Sequence, residues 1–363
     1  MDAAALAAAR SDTPVARFRR RLIDAGIATD AALKELEATI RKEIDAASDY
    51  ARKAPAPEAA ELYTDVFADT ASIPDHVIAT ATPRAAGQYQ PQSERMMTFG
   101  QAVNEALAIA LEADKNVFLL GEDIADPAGG VVKTTYGLST RFGRDRVRPT
   151  PIAEQAIVGA AIGAAMAGMK PVAEIMINDF LMVCMDQVSN HAAKLRYMSG
   201  GKTSVPLVIR TLTAGFVGSF GAQHSQSLEA WLAHTPGIKI VYPSTPAEAK
   251  GLLLSAIDDP DPVVFFESMR AYFAPGPVPE GDYRIPLGQA DVKRRGKDLT
   301  IITYGWTVGE ALAAALERAA GRLGAGDREA RWSASQREDG TVVFERLWRG
   351  VTDVHEIDAR FLA

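Results

Sequence analysis

A single acid stands at the start of an apolar segment. Glu154 follows Thr150-Pro151-Ile152-Ala153, and residues 155–168 are almost all alanine, glycine, isoleucine or other uncharged types. Neither Lys nor Arg lies within one helical turn after Glu154. If this segment is a buried helix, the carboxyl is buried without a partner, which is costly for its charged form. We therefore expect Glu154 to hold a proton and to share it in a hydrogen bond.

The same residues also fit an ordinary helix start. Proline is common at the first helical position and acids are favoured in the first turn, so Pro151 and Glu154 can serve the helix alone. Taken by themselves, these residues favour the helix start over a catalytic role.

A glycine-rich loop carries the second group of candidate residues. Residues 214–225 contain three glycines, which allow the backbone to approach a ligand closely, and end in Gln223-His224-Ser225. His224 can act as an acid, a base or an orienting group. A capping or core histidine is the ordinary alternative, and His224 alone favours it. Phe180 can pack on an aromatic ring, although an aromatic residue in a helix is usually part of the core.

Several motifs that would indicate other chemistry are missing. The sequence contains no GxxxxGK[ST] loop, no GxGxxG after a predicted strand and no HExxH. Residues 217–221 miss a GxSxG nucleophile motif by one position, because Val217 stands where the first glycine is required.

Composition limits the classes of protein. The 363 residues suffice for about two or three domains. The formal charge of −7 comes from 39 basic and 46 acidic residues, which disfavours a nucleic-acid partner. Cys184 is the one cysteine, so we expect neither an internal disulfide nor a cysteine-rich zinc site, and we expect a reducing compartment, the cytoplasm. No segment predicts a membrane span or a secretory signal.

Patterning divides the chain into five segments. Residues 1–68 predict a helical arm, in which the first helix ends near Gly26 and Asp30 caps the second. A proline-rich linker follows at 69–95, an α/β domain at 96–280 and the start of a further domain at 281–323. Residues 324–363 are charged and show neither helical nor strand period, so we expect them to be poorly ordered or loosely packed.

The α/β domain contains the elements that must position Glu154 and His224. Apolar strands alternate with helices, which predicts a parallel sheet covered by helices on both faces, with ligands at the carboxyl ends of the strands. The predicted strands are 117–120, 170–176, 206–210, 239–242 and 262–267. The predicted helices are 99–112, a helix from 154, 179–197 and 246–257. A further strand at 299–304 and a helix at 308–323 begin the next unit.

Seven short motifs between Met97 and about Glu317 occur together in one known family. They are Leu120-Gly-Glu-Asp123, Thr150-Pro-Ile-Ala-Glu154, Gly159 to Gly168, Asp186-Gln187, Tyr197-Met-Ser-Gly-Gly201, Ala222-Gln-His-Ser225 and Ser255-Ala-Ile257. With them the chain resembles the beta subunit of the thiamine-diphosphate-dependent component of 2-oxoacid dehydrogenase complexes, of the pyruvate, branched-chain or acetoin type. The resemblance implies a transketolase-like fold in which this domain binds the pyrimidine ring.

The resemblance also implies roles for single residues. Glu154 matches the acid that bonds to the pyrimidine ring and so promotes loss of the thiazolium proton. His224 matches the histidine that handles the acyl group and its transfer to lipoamide. The other matched cofactor contacts are Ile152, Met176, Phe180 and Glu122. A potassium site built largely from main-chain oxygens matches Leu207, Ala256, Ile257, Asp259 and Asp261. Asp261 departs from the expected asparagine.

Residues 11–68 resemble a different protein, the C-terminal tail of the alpha subunit of the same enzyme. Val15–Phe18, Leu33–Ile44 and Tyr63–Phe67 carry this second resemblance. In the family, the alpha subunit holds magnesium and the diphosphate with a Gly-Asp-Gly…Asn motif, which this sequence lacks. The implied partners are therefore an alpha-type subunit or domain, in a heterotetramer, and a lipoyl-bearing acyltransferase.

The expected function is that of a pyruvate dehydrogenase-like beta subunit, which decarboxylates a 2-oxoacid oxidatively. An acetoin dehydrogenase and a transketolase-like enzyme are the alternative enzymes. An inactive truncated fragment is the alternative without activity.

Overall fold

The computed structural model describes residues 13–56, 58–68, 93–215, 220–295 and 300–319, and the backbone of 332–336, 342–348 and 351–355. The chain divides into two compact units, Met1–Tyr63 and Thr64–Ala363. Most of the predicted linker and of the charged C-terminal segment lies outside the described residues.

The first unit contains the two predicted helices, α1 (Pro14–Asp24) and α2 (Asp30–Lys53), followed by a 3₁₀ turn at Ala59–Tyr63. The predicted cap of α2 is wrong by one residue. Thr29 is the N-cap, and its hydroxyl accepts the N–H of Ala32 at 3.2 Å. Asp30 is already helical, and its carboxylate accepts from Arg19 at 2.7 Å, so it is not free to cap.

The second unit is built on a six-stranded sheet in which every neighbouring pair is parallel. Its strands are β2 (Val117–Glu122), β3 (Val147–Thr150), β4 (Lys170–Ile177), β5 (Val208–Thr213), β6 (Lys239–Val241) and β7 (Val263–Ser268). They lie in the order β3-β2-β4-β5-β7-β6. The parallel sheet and five of its strands are as the sequence predicts. β3 was not predicted, because this short strand with Arg148 and Pro149 carries little apolar pattern.

Alternate residues of each strand enter two separate cores, as the pleat requires. Leu119, Val208 and Phe265 pack on one face with the helices α3 (Phe99–Ala113) and α8 (Pro246–Asp258). Leu120, Ile209 and Phe266 pack on the other face with α5 (Glu154–Met166) and the segment that follows β4. Thr98 caps α3 through a capping box with Gln101. Short helices α4 (Leu138–Phe142), α6 (Leu195–Met198) and α7 (Glu229–Ala233) fill the connections.

The segment after β4 is not the single helix 179–197 that the sequence predicts. It forms a 3₁₀ helix at Asn178–Met182, a π-helix at Asp186–Ala192 and the short α6. The side chain of Asn178 bonds to backbone groups of a distant loop, at the carbonyl of Gln226 and the N–H of Leu228. Such side-chain bonds compete with a regular helix start.

A small antiparallel pair joins β1 (Met96–Thr98) to β8 (Pro275–Pro277). The helix α9 (Thr307–Ala319) is as predicted, but residues 300–304 form no strand. Beyond them the backbone forms three antiparallel strands, β9 (Trp332–Gln336), β10 (Val342–Trp348) and β11 (Val351–His355), in the order β11-β10-β9. The sequence analysis predicted no regular element there. None of the described helices is both long and apolar enough to cross a membrane.

Gly237 lies just before the edge strand β6 and packs against the backbone of Ala193, in the segment that follows β4. No side chain fits at this position. Its φ is +95°, and an added Cβ would lie 2.0 Å from the carbonyl oxygen of Ala193. We expect Gly237→Ala to lower the free energy of unfolding by about 2–4 kcal/mol, because backbone strain adds to the collision. Gly143→Ala is the control, since Gly143 has φ +83° but no atom within 4 Å of its Cβ position. Urea titration of both variants checks this, and equal losses would contradict the collision.

Candidate functional site

The candidate site lies where the chain leaves two neighbouring strands in opposite directions. β2 continues to β3 on one side, and β4 continues to β5 on the other. Such a switch point opens a crevice at the carboxyl ends of the strands. Glu122 is the last residue of β2, and Met176 stands near the end of β4.

Met176 is displaced from the regular pleat of β4. The register between β4 and β5 shifts between Ile175 and Ile177, so Met176 is the extra residue of a bulge. Bulges redirect a side chain and are common beside functional sites. Met176 lines a small cavity together with Arg210 and Glu267.

Glu154 is the first residue of α5, so the helix-start interpretation is confirmed for its position. Its predicted burial is wrong for the single chain, because Glu154 is only half-buried. α5 covers the sheet with one side, which leaves Ala156, Gly159 and Gly163 exposed. Among the described residues, none forms a hydrogen bond or an ion pair with the Glu154 carboxyl.

The charge of Glu154 contributes to raised pKa values of two nearby groups, Glu122 and Cys184. Burial raises the pKa of Glu122, and the charges of Glu154 and Asp123 raise it further, while the N–H of Ala153 acts in the opposite sense. Burial raises the pKa of the Cys184 thiol to about 12, with a further contribution from Glu154. Cys184 therefore stays protonated at neutral pH and is not a nucleophile.

The side chains of Phe180 and His224 contact each other. Their ring centroids are 5.3 Å apart and the rings meet edge to face at 81°. Both side chains are half-buried. Ile152, also predicted to contact the cofactor, is 83% exposed in this chain and is the one predicted contact that lies largely in solvent.

Asn178 and Asp179 hold the loop that carries His224, and the sequence analysis missed both. The Oδ1 atom of Asp179 accepts from the backbone N–H of Gln226 at 3.2 Å and from its Nε2 at 2.8 Å. Asn178 donates to the carbonyl of Gln226 at 2.9 Å and accepts from the N–H of Leu228 at 2.9 Å. Two adjacent polar residues at the end of an apolar strand were the available signal.

A buried ion network crosses the central strands beneath the crevice. The Arg210 guanidinium donates to both carboxylate oxygens of Glu267, at 2.6 and 3.0 Å, and to Glu174 at 2.7 Å. Arg210 and Glu267 are buried. The two carboxylates raise the pKa of Arg210 despite its burial, and burial raises the pKa of Glu267. A bidentate guanidinium pair of this kind fixes the relative position of β5 and β7.

Two of the five predicted potassium positions, Asp259 and Asp261, carry carboxylates that bond to a lysine. Lys239 Nζ lies 2.8 Å from Asp259 and 3.0 Å from Asp261. The carbonyl oxygens of Leu207 and Ala256 each accept one backbone hydrogen bond. The carboxylates of Asp259 and Asp261 therefore form an ion cluster with Lys239, and a potassium site at these positions, built largely from main-chain oxygens, stays a prediction. In the described part of the chain, no cluster of three or more His, Cys, Asp or Glu can hold a metal ion.

Comparisons with known proteins agree with this geometry. Residues 95–274 match the family model described as the transketolase pyrimidine-binding domain, and residues 4–60 match that of the dehydrogenase E1 component. The beta subunit of the acetoin:2,6-dichlorophenolindophenol oxidoreductase of Bacillus subtilis is 49% identical over 235 residues, or 61% of this chain and 68% of that protein. The chain belongs to the family of 2-oxoacid and acetoin dehydrogenase beta subunits.

Other members of the family are equally similar. The 2-oxoisovalerate dehydrogenase subunit beta of Bacillus subtilis is 51% identical over 61% of this chain and 67% of that protein. The pyruvate dehydrogenase E1 component subunit beta of the same organism is 50% identical over 61% and 68%. A solved structure, a split-gene transketolase in an inactive beta4 tetramer, has a TM-score of 0.51 at 22% identity over 62% of this chain and 68% of that chain, which supports the fold alone.

The hydrogen bonds between Asp179 and the loop that carries His224 in this beta-subunit chain lead to one prediction. Asp179→Ala leaves the backbone N–H and Nε2 donors of the half-buried Gln226 without this acceptor, so we expect a loss of about 1–3 kcal/mol in the free energy of unfolding. We also expect faster hydrogen exchange at residues 226–228. Asp179→Asn keeps one acceptor and should lose less. Asp186→Ala is the control, because that acid is exposed on the same segment. Unchanged exchange in Asp179→Ala would show that the loop is held by other contacts.

The raised pKa of Glu122 generates a prediction about pH. The folded chain binds this proton more tightly than the unfolded chain, so the stability it contributes is complete below the unfolded pKa of about 4.3 and is lost as pH rises through the folded pKa. We expect Glu122→Gln to be more stable than the parent at neutral pH and to differ little in acid.

The pKa of Asp126 is shifted in the opposite direction to that of Glu122. Hydrogen bonds from Ser139 and Thr140 hold its pKa well below the usual range, so Asp126→Asn should lose stability at neutral pH. Urea titrations at several pH values measure both variants. A Glu122→Gln variant that is less stable than the parent at neutral pH would contradict the electrostatic assignment.

Proposed function

We propose that this chain is the pyrimidine-binding part of a thiamine-diphosphate-dependent dehydrogenase, which decarboxylates a 2-oxoacid and passes the acyl group to lipoamide. Pyruvate is the substrate we put first. One observation carries the proposal: Glu154, at the mouth of the switch-point crevice, has no hydrogen-bonding partner among the described residues. Over the aligned 61% of the chain, about half of the residues are identical to those of two dehydrogenase beta subunits and one acetoin oxidoreductase beta subunit.

The residues around the crevice fit an aromatic nitrogen heterocycle. Phe180 offers a half-buried ring, Met176 a polarisable side chain, and Glu154 a carboxyl with unused bonding capacity. When bound, thiamine diphosphate supplies the carbanion that attacks the 2-oxo group and accepts the electrons of decarboxylation. Glu154 would hold a proton between its carboxyl and a ring nitrogen. His224 would orient or protonate the oxygen of the acyl group beside Phe180.

The magnesium and the diphosphate need a second protein surface. No described cluster on this chain can hold a metal ion, and we propose that an alpha-type subunit or domain provides those ligands. Exposed apolar side chains on the helical layer beside Glu154 support such a partner, among them Ile152, Met166 and Met198. A lipoyl-bearing acyltransferase is the proposed acceptor of the product. The single, buried Cys184 supports a reducing location, for which we propose the cytoplasm.

Acetoin is the second candidate substrate. The Bacillus subtilis relative named for acetoin is as similar as the one named for pyruvate, at 49% against 50% identity. Turnover of the assembly with pyruvate, branched 2-oxoacids and acetoin, compared at equal enzyme concentration, distinguishes these substrates.

The test of the proposed function is Glu154→Gln in an assembly of this chain with an alpha-type subunit. Glutamine keeps the shape but cannot share a proton, so we expect exchange of the thiazolium proton for deuterium to slow about 100-fold or more. Nuclear magnetic resonance of the bound cofactor measures the exchange. Glu112→Gln, an exposed acid on the opposite layer, is the control.

Two other results would contradict the proposal. Near-parental exchange in Glu154→Gln would refute the role of this carboxyl. Slow exchange in the parent assembly as well would favour an inactive fragment that folds without turnover.

A further inference from the structure

The loop that carries His224 leaves the sheet at β5 and returns to the helix α7. Thr213 is the last residue of β5, and Glu229 is the first residue of α7. The two arms of this loop pack on each other, because a Cβ added at Gly215 would lie 3.3 Å from the carbonyl oxygen of Ser225. The groups that hold Thr213 and Glu229 therefore fix the two points between which His224 must lie.

Tyr242 lies beside the first end of this loop, directly after β6. Burial raises the pKa of Tyr242 to about 12, and the hydroxyls of Thr213 and Ser268 act in the opposite sense because they lie beside the phenol. Thr213 and Ser268 are paired in register at the ends of β5 and β7, and each is 1% exposed. Among the described residues, none of the three hydroxyl oxygens meets a partner outside this trio. Tyr242 therefore joins the start of the loop to the end of β7.

Tyr304 lies beside the other end of the loop and packs on Tyr242. The centroids of the two tyrosine rings are 5.7 Å apart, and the rings are tilted by 46°. The Tyr304 hydroxyl donates to Glu229 Oε1 at 3.3 Å. Burial and the charge of Glu229 raise the pKa of Tyr304, so its hydroxyl remains a donor at neutral pH. The tyrosine pair thus extends from Thr213 at the start of the loop to Glu229 at its end.

The backbone after Tyr304 is fitted closely to Tyr242. The N–H of Gly305 donates to the carbonyl oxygen of Tyr242 at 3.2 Å. A Cβ added at Gly305 would lie 2.9 Å from the Tyr242 ring, and the φ of Gly305 is +57°. Glycine suits this position for both reasons. The ring contact between the two tyrosines is therefore supported by a hydrogen bond and by close packing of the chain.

We propose that Tyr242 and Tyr304 are positioning residues for His224, which they hold by fixing both ends of its loop. Asn178 and Asp179 bond to the later part of the same loop, and the tyrosine pair adds a support at its two ends. Tyr304 follows the last strand of the parallel sheet in the sequence, so the loop depends on how this later part of the chain is placed. This inference rests on the proposed function, in which His224 acts on the acyl group.

The first test removes single hydroxyls from the full chain. Tyr304→Phe keeps the ring contact and deletes the donor to Glu229, and Tyr242→Phe deletes the hydroxyl at the start of the loop. Tyr283→Phe is the matched control, because its hydroxyl donates to the carbonyl oxygen of Ala247 on α8, at 2.7 Å. We expect amide hydrogen exchange in the loop to become about 3- to 10-fold faster in the first two variants and to stay parental in the control.

The position of His224 can be followed through its imidazole signals. The rings of Phe180 and His224 meet edge to face at 5.3 Å, so the ring current of Phe180 acts on the imidazole protons. We expect nuclear magnetic resonance signals of labelled histidine at this position to move toward those of an exposed histidine in Tyr304→Phe and in Tyr242→Phe. A purely structural role would lower stability without moving these signals. Parental signals and parental loop exchange in both variants would overturn the proposal.

A double-mutant cycle tests the bond at the end of the loop. Glu229→Ala and Tyr304→Phe remove the same hydrogen bond, so their combined effect on loop exchange should be smaller than the sum of the single effects. Additive effects would overturn the pairing of these two residues.

Acyl transfer separates this inference from the proposed function. In the assembly with an alpha-type subunit, we expect Tyr304→Phe to slow acyl transfer to lipoamide about 10-fold, because a displaced catalytic group acts poorly. Exchange of the thiazolium proton, which the proposed function assigns to Glu154, should stay parental. Parental acyl transfer in Tyr304→Phe would overturn the positioning role. A parent assembly that exchanges no thiazolium proton would refute the proposed function, and the imidazole signals of the chain alone would still decide whether the tyrosine pair positions His224.

Discussion

Burial of both faces of the parallel sheet is the constraint on which the site depends. Each parallel connection must cross a face of the sheet as a helix, and the chain places α3 and α8 on one face and α5 on the other. The reversal of direction between β2 and β4 follows from this arrangement, and it opens the crevice. Glu122 and Met176 stand at the ends of β2 and β4, and Glu154 begins the helix α5 that follows β3.

The buried charges hold this crevice rigidly from below. Arg210 on β5 bridges Glu174 on β4 and Glu267 on β7, so three strands share one guanidinium. Removing one partner would leave an uncompensated buried charge, which costs far more than the pair contributes. Asn178 and Asp179 act similarly above the sheet, where they tie the end of β4 to the loop of His224. The floor and one wall of the site are therefore fixed by polar contacts and not by apolar packing alone.

The side of the crevice formed by α5 is not fixed in this way, because about half of the residues of this helix are exposed to solvent in the single chain. The exposed side consists mostly of alanine and glycine, and the carboxyl of Glu154 stands beside it with no hydrogen-bonding partner among the described residues. An unsatisfied acid beside an apolar surface is understandable if a cofactor and a second subunit complete the environment. Elsewhere in the domain, the buried carboxylate of Asp261 accepts the backbone N–H of Ala68.

The sequence alone determined the parallel sheet, five of its six strands and the family, because apolar strands and short motifs are local features that survive without tertiary information. Through the resemblance, it also predicts that Glu154, Phe180 and His224 belong to one site. It did not predict β3, whose few residues carry no period, or the broken helix after β4, whose first residues bond to a loop 48 positions away. The half-exposure of Glu154 depends on which side of α5 meets the sheet. The ion pairs of Lys239 with Asp259 and Asp261 join segments that are distant in the sequence, and only the tertiary structure decides such contacts.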